Sequence, residues 1–213
     1  MGDGNIFLYV RVAEKPKNNK ERSLMCPVIV SEDEYKIKSD SLSKKEIITR
    51  NGNVLYLKND VCRLMNLSHF RKVILNKEGF NVLEVSEKPD FTGITGESEY
   101  GVEDPRITRI GGKYYMTYVG VSKNNGVSVC LASSENLEKW KRIGIIFQEQ
   151  NKDAVLFPEK INGLYVALNR PEGSFAFTLP HIWVSHSKDL EHWGESKSLI
   201  LSARTAILRF SIP

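Results

Sequence analysis

Residues 133–140 read SSENLEKW and residues 186–193 read HSKDLEHW. Serine, leucine, glutamate and tryptophan recur in the same order, with Trp140 and Trp193 about 53 residues apart. Working outward, glycine-led apolar strands start near Gly52, Gly112 and Gly163, a spacing of roughly 50–60 residues. Each is followed by short alternating runs separated by turn signals: YYMTYVGVS, GVSVCLASS and RIGIIF in one stretch, LYVALNRP and HIWVSHS in the next. About four short strands per repeat is the pattern of a β-propeller blade. Helical periodicity is absent almost throughout, which excludes a helical solenoid. Trp140 and Trp193 are expected to pack at the same corner of successive blades rather than to stack on sugars.

The N-terminal part is also β-rich. Gly4 to Glu14 (GNIFLYVRVAE) reads as a strand, with Arg11 interrupting an apolar run. An arginine inside a strand usually meets an anion or a carboxylate. Two strands and a charged connector follow in CPVIVSEDEYKIKSDSLSKKEIITR, then NGNVLYLK after an Asn-Gly turn, then LSHFRKVIL and FNVLEV around the turn NKEG. Residues 88–99 form a looser linker.

Composition narrows the function class. With 213 residues, 41% hydrophobic and 26% charged, the chain reads as a globular protein with ample core. The net charge of +4 is spread along the chain and does not call for nucleic acid. No apolar run is long enough to span a membrane, and the N-terminus lacks a secretory layout. Cys26, Cys62 and Cys130 have no metal-ligand spacing, and the four histidines lack clustered partners, so no metal site is expected. A cytoplasmic setting with reduced thiols follows from this cysteine usage.

Chemistry concentrates in Tyr100-Gly101-Val102-Glu103-Asp104-Pro105-Arg106-Ile107-Thr108. Proline at 105 is expected to push Asp104 into an extended conformation. Alternation would then turn Asp104 and Arg106 one way and Glu103 the other. A rigid turn presenting a carboxylate suits an acid/base catalyst; taken alone, the same residues also suit a surface turn with a salt bridge. A nearby Arg106 would make Asp104 a poorer acid, so Arg106 is expected to be engaged elsewhere, with Glu103 as a candidate. Further along, NKDAVLFPEK (residues 151–160) and Asn169-Arg170-Pro171 carry basic residues beside apolar strands. Lys152 and Arg170 there could bind one anion together, or could simply be strand-end charges.

Taken in order, GVEDPRIT, NKDAVLFPEKING, L-x-R-P and the two S-x-x-L-x-x-W corners resemble glycoside hydrolase family 130, the mannoside phosphorylases and their relatives. The resemblance runs from about residue 5 to about residue 201. It implies an all-β fold of the five-bladed β-propeller family. By repeat counting, about three blades are expected here, in a single incomplete catalytic domain over 1–213 with a divergent tail at 202–213; the chain thus reads as a truncated member. It also implies an inverting phosphorylase that cleaves β-mannosidic bonds with inorganic phosphate to give α-mannose 1-phosphate. Asp104 would be the general acid, its proton passing through a sugar hydroxyl. Lys152 and Arg170 would bind phosphate, and Arg11 would contact the mannose of the −1 subsite. Glu103, Asp153 and Glu159 would be further substrate-binding residues. No cofactor is implied beyond phosphate as co-substrate. The implied partners are a β-mannoside oligosaccharide and phosphate, without nucleic acid or membrane, and a homo-oligomer is compatible with the sequence. Two other readings stay open: a β-1,2-mannosidase on the same scaffold, and an inactive glycan-binding fragment. Ordinary inverting hydrolysis needs a second carboxylate to activate water, whereas phosphate arrives anionic and needs a cationic cradle.

Overall fold

The computed structural model describes residues 4–16, 23–31, 35–59, 61–172 and 181–200. The expected tail at 202–213 lies outside the described residues. The chain divides into two compact units: Met1–Glu103 with Gly120–Asn124, and Asp104–Val119 with Asn125–Pro213. The described residues are all-β apart from one 3-10 turn, Lys44–Glu46, capped by Ser43. Among them, no helix is long and apolar enough to cross a membrane.

The first unit holds β1 (Ile6–Glu14), β2 (Ser23–Ser31), β3 (Lys36–Ser43), β4 (Ile47–Asn51), β5 (Val54–Leu57), β6 (Cys62–Leu64), β7 (Leu67–Leu75) and β8 (Val82–Val85). β1 pairs antiparallel with β7 along its full length, from Ile6 opposite Leu75 to Glu14 opposite Leu67, and β8 adds to the other side of β7. The intervening chain forms a β2-β3 hairpin and a small β4-β5-β6 sheet. These bury Cys26, Leu55, Leu57 and Met65 against Leu24, Leu42 and Ile47. The Gly52-led strand, expected to open a four-stranded repeat, therefore belongs to a three-stranded sheet instead. Its hydrophobic alternation is real, but it is satisfied by β2 and β3 rather than by a fourth strand.

Gly101 illustrates how tightly this unit is built. It lies at φ +117, and a Cβ there would sit 2.8 Å from the backbone nitrogen of Ser68 and 3.0 Å from its oxygen. Only glycine lets the chain pass Ser68 this closely.

The second unit is the repeat made visible. β9 (Val102–Ile110), β10 (Lys113–Ser122), β11 (Gly126–Ser134) and β12 (Lys141–Phe147) form one four-stranded meander. β13 (Asn151–Leu156), β14 (Tyr165–Pro171), β15 (Ile182–Ser187) and β16 (Trp193–Ile200) form the next. β9 and β10 each extend at one end into residues of the first unit. Asn162 and Gly163 both have positive φ, as an Asn-Gly hairpin turn requires. Ile110, Val129, Leu131, Ile146 and Phe147 of one meander share a core with Ala154, Leu156, Ala167 and Leu190 of the other. Each fully buried aliphatic side chain there contributes roughly 1.5–3 kcal/mol.

The quoted corners are superimposable in their bonding. The Ser134 hydroxyl accepts the Leu137 N–H (2.9 Å), and the Ser187 hydroxyl accepts the Leu190 N–H (2.8 Å). Asn136 Oδ1 accepts from the N–H groups of Glu138 and Lys139, as Asp189 Oδ1 does from Glu191 and His192. Leu137 and Leu190 both have positive φ, 64° and 73°. Side-chain acceptors thus replace backbone partners at each corner. Trp193 donates its indole N–H to the Leu190 carbonyl and packs on Phe147, with ring centroids 5.4 Å apart. Trp193 thus packs at its corner, as the repeat implies.

Candidate active site

β9 and β13 are the edge strands that begin the two meanders, and they carry Glu103, Asp104, Lys152 and Asp153, while Arg170 lies on β14 and Arg11 on β1. The hydroxyl of Thr117 donates to the Ala154 carbonyl (2.7 Å) and that of Thr108 to the Leu156 carbonyl (3.3 Å), tying the first meander to β13. Within the second meander a polar ladder sets the register. Asn151 Nδ2 donates to Asn169 Oδ1 (3.0 Å), Asn169 Nδ2 to Ser185 Oγ (2.9 Å), and Ser185 meets Ser196 (2.8 Å). Asn151 Oδ1 also takes the backbone N–H of Arg170. Asn151, Asn169 and Ser185 are buried, so these bonds are made in full.

On this base the second unit assembles a charged cluster. Lys152 and Arg170 are direct partners across β13 and β14. Lys152 Nζ lies 3.3 Å from Glu172 Oε1, and Arg170 Nη1 lies 2.5 Å from the same oxygen. The other terminal nitrogen of Arg170 donates to Asp153 Oδ2 (2.7 Å), and Arg106 Nη2 donates to Asp153 Oδ1 (3.1 Å). Arg106 Nη1 reaches back to the backbone carbonyl of Asp104 (3.4 Å). Burial pushes the Asp153 carboxyl up, but the hydrogen bonds and charges of Arg170 and Arg106 outweigh it and hold the group below its ordinary value. The hydrogen bond to Asp153 in turn raises Arg170.

Asp104 corrects an expectation. Proline does exclude the right-handed helical region for the residue before it, but Asp104 takes positive φ, 51°, not an extended conformation. Aspartate tolerates that region better than most side chains. The simple alternation across Asp104 is thereby broken. Arg106 is engaged away from the Asp104 carboxylate, as expected, but its partner is Asp153 and not Glu103. Glu103 is taken by Arg11.

The Arg11–Glu103 pair lies in the first unit. Arg11 Nη2 is 2.5 Å from Glu103 Oε1, while its Nε donates to Ser68 Oγ (3.1 Å). The strand arginine therefore does meet a carboxylate. Glu159 stands apart from the cluster, exposed in the bend beyond the far end of β13 from Lys152 and Asp153.

Two groups escaped sequence reasoning. Glu172 follows Pro171 with no motif to mark it, and only the pairing of β13 with β14 brings Lys152 opposite Arg170 and within reach of it. In the first unit, Tyr35, His69, Arg71 and Glu14 form a polar network. Arg71 Nε donates to His69 Nε2 (3.1 Å), and Tyr35 Oη is 2.6 Å from His69 Nδ1. Arginine can only donate, so a neutral His69 carries its proton on Nδ1. Burial pushes His69 down and Tyr35 up, which favours the neutral form of each. Among the described residues no group of three His, Cys, Asp or Glu side chains could hold a metal ion.

Residues 83–209 match the glycoside hydrolase family 130 model, described as beta-1,4-mannooligosaccharide phosphorylase. The chain is 41% identical over 128 residues to a 1,2-beta-oligomannan phosphorylase of a Thermoanaerobacter species, covering 59% of this chain and 40% of that protein. It is 31% identical over 202 residues to a beta-1,2-mannobiose phosphorylase of Listeria innocua, covering 93% of this chain and 56% of that protein. The solved structure of beta-1,2-mannobiose phosphorylase from Listeria innocua, in complex with beta-1,2-mannobiose, aligns over 93% of this chain and 56% of its own, with a TM-score of 0.82 at 30% identity. The chain thus spans only about half, or less, of the length of these relatives. Matched by the family model over more than half of its length, and by a relative over nearly all of it, this chain belongs to glycoside hydrolase family 130.

Proposed function

We propose that this chain carries part of an inverting β-mannoside phosphorylase on a five-bladed propeller, with about three blades present and forming a single catalytic domain. The two meanders with matching corners are read as successive blades, and the β1-β7-β8 sheet as part of a third. Asp104 donates its proton toward the departing glycosidic oxygen as the C1–O bond breaks. A phosphate oxygen attacks C1 from the opposite face, so the product is α-mannose 1-phosphate and the configuration inverts. The nucleophile is already anionic and needs no base, only cations that hold it in line.

The observation that carries this reading is that Lys152 and Arg170 converge on one anionic oxygen, that of Glu172, in the same unit as Asp104. A pair of cations built around an oxyanion is what a phosphate nucleophile requires. The names of the similar proteins favour β-1,2-linked mannosides as the substrate class. Arg11, steadied by Glu103 and Ser68, is assigned to the −1 mannose. No cofactor beyond phosphate is assigned, and a cytoplasmic site of action suits the free thiols Cys26 and Cys130.

The test is phosphorus NMR of the full chain with β-1,2-mannobiose and inorganic phosphate. Mannose 1-phosphate should accumulate only when phosphate is present. Equal release of free mannose with and without phosphate would instead make the chain a mannosidase. No turnover, together with retained sugar binding, would make it a glycan-binding fragment.

A further inference from the structure

We propose that Glu172 is a built-in competitor for the phosphate site, a carboxylate that fills the cradle until phosphate displaces it. This rests on the reading of Lys152 and Arg170 as that cradle. Glu172 Oε1 is held jointly by the lysine ammonium (3.3 Å) and one arm of the arginine guanidinium (2.5 Å). An oxygen fixed by that pair stands where a phosphate oxygen would be bound.

Asp153 and Glu172 both face Arg170 but differ in freedom. Asp153 is short, sits within β13 and is gripped by two arginines, Arg106 and Arg170. It keeps Arg170 aimed whether or not the site is filled. Glu172 lies one residue past β14, on a longer side chain with more rotamers to regain on release. Its backbone N–H is anchored to the Gln150 carbonyl (2.8 Å), so only the side chain needs to swing. The Lys152, Arg170 and Glu172 side chains are 36%, 32% and 29% exposed, so the pair is open to an anion from solvent.

Displacement sets a threshold. Phosphate offers a higher charge and several acceptor oxygens, and it can occupy lysine and arginine together. A singly charged anion gains little over the resident carboxylate. Apparent phosphate affinity equals intrinsic affinity reduced by the fraction of molecules in which Glu172 has left. Its return also helps expel the phosphorylated product.

The experiment is calorimetric titration of inorganic phosphate into the full chain at constant ionic strength, without sugar. It compares the unsubstituted protein, Glu172→Gln and the double variant Lys152→Ala with Arg170→Ala. Glu172→Gln should bind phosphate about three- to tenfold more tightly, and the double variant should lose binding. Glu172→Ala must move the affinity the same way, which separates loss of the carboxylate from any effect of the amide. Unchanged or weaker binding in both Glu172 variants, with the double variant still defective, overturns the competitor and leaves the cradle standing. Absence of binding by the unsubstituted protein and both Glu172 variants, or full binding by the double variant, overturns the cradle and this inference with it.

Discussion

Asp104 and Asp153 occupy the same place in successive sheets: each is the third residue of the strand that begins a four-stranded meander, and each has positive φ, 51° and 60°. Non-glycine residues in that region are uncommon, and such strain gathers at functional sites. The two carboxylates differ in their partners and in their proposed use. Asp153 is committed to Arg106 and Arg170, while Asp104 is the proposed acid.

Replacing Asp104 with asparagine should therefore lower kcat by about 10²–10⁴-fold. Binding of β-1,2-mannobiose should persist. Steady-state kinetics and a sugar titration check both, and a kcat near the unsubstituted value would remove Asp104 from the acid role.

Asp153→Asn should act on stability. Loss of the charge takes the carboxylate from Arg106 and leaves Arg170 with Glu172 alone, at a cost of about 1–2 kcal/mol once solvent screening at this part-exposed position is allowed for. The sign with pH follows from its lowered pKa. The unfolded carboxyl takes up a proton near its ordinary value of 3.8, while the folded one resists to lower pH. The contribution is present above that value and lost as pH falls through the folded pKa. Urea unfolding at pH 7 should show the difference in full, and at pH 3 it should have shrunk.

Lys152→Ala and Arg170→Ala should each raise the KM for phosphate, by roughly ten- to a hundredfold for Arg170, a loss of about 1.4–2.7 kcal/mol. The lysine should matter less, because Arg170 also holds Asp153. Phosphate saturation curves at fixed sugar concentration read this directly. Equal KM values in all three proteins would exclude the pair from phosphate binding.

Asn169→Ala should break the ladder beneath the cradle. It strands Asn151 Nδ2 and removes one partner of Ser185, so a loss of about 1–3 kcal/mol is expected. Thermal unfolding measures it. The phosphate KM should rise with it, since Asn151 also fixes the Arg170 backbone.

Gly101→Ala should destabilise the first unit by at least about 1–3 kcal/mol, combining positive φ with a Cβ pressed on the Ser68 backbone. Denaturant titration would detect it. A neutral outcome would mean that the chain can shift at Ser68 without cost.

The sequence alone determined the all-β class, the corner repeat and the order of the charged motifs, because these rest on local rules. Period-two alternation, Asn-Gly turns and serine- or asparagine-bonded corners act over a few residues, so SSENLEKW and HSKDLEHW were legible without coordinates. Arg11 could likewise be read as a strand arginine in want of an anion or a carboxylate. What only the tertiary structure decided were the partners. That Arg106 meets Asp153, that Glu103 meets Arg11, and that Glu172 joins Lys152 and Arg170 depends on contacts between residues from 2 to 92 positions apart. The backbone of Asp104 was decided there too: Pro105 rules out one conformation but leaves two, and local sterics cannot choose between them. The Gly52-led strand fell into a three-stranded sheet for the same reason, since alternation says that a face must be buried but not which neighbour buries it.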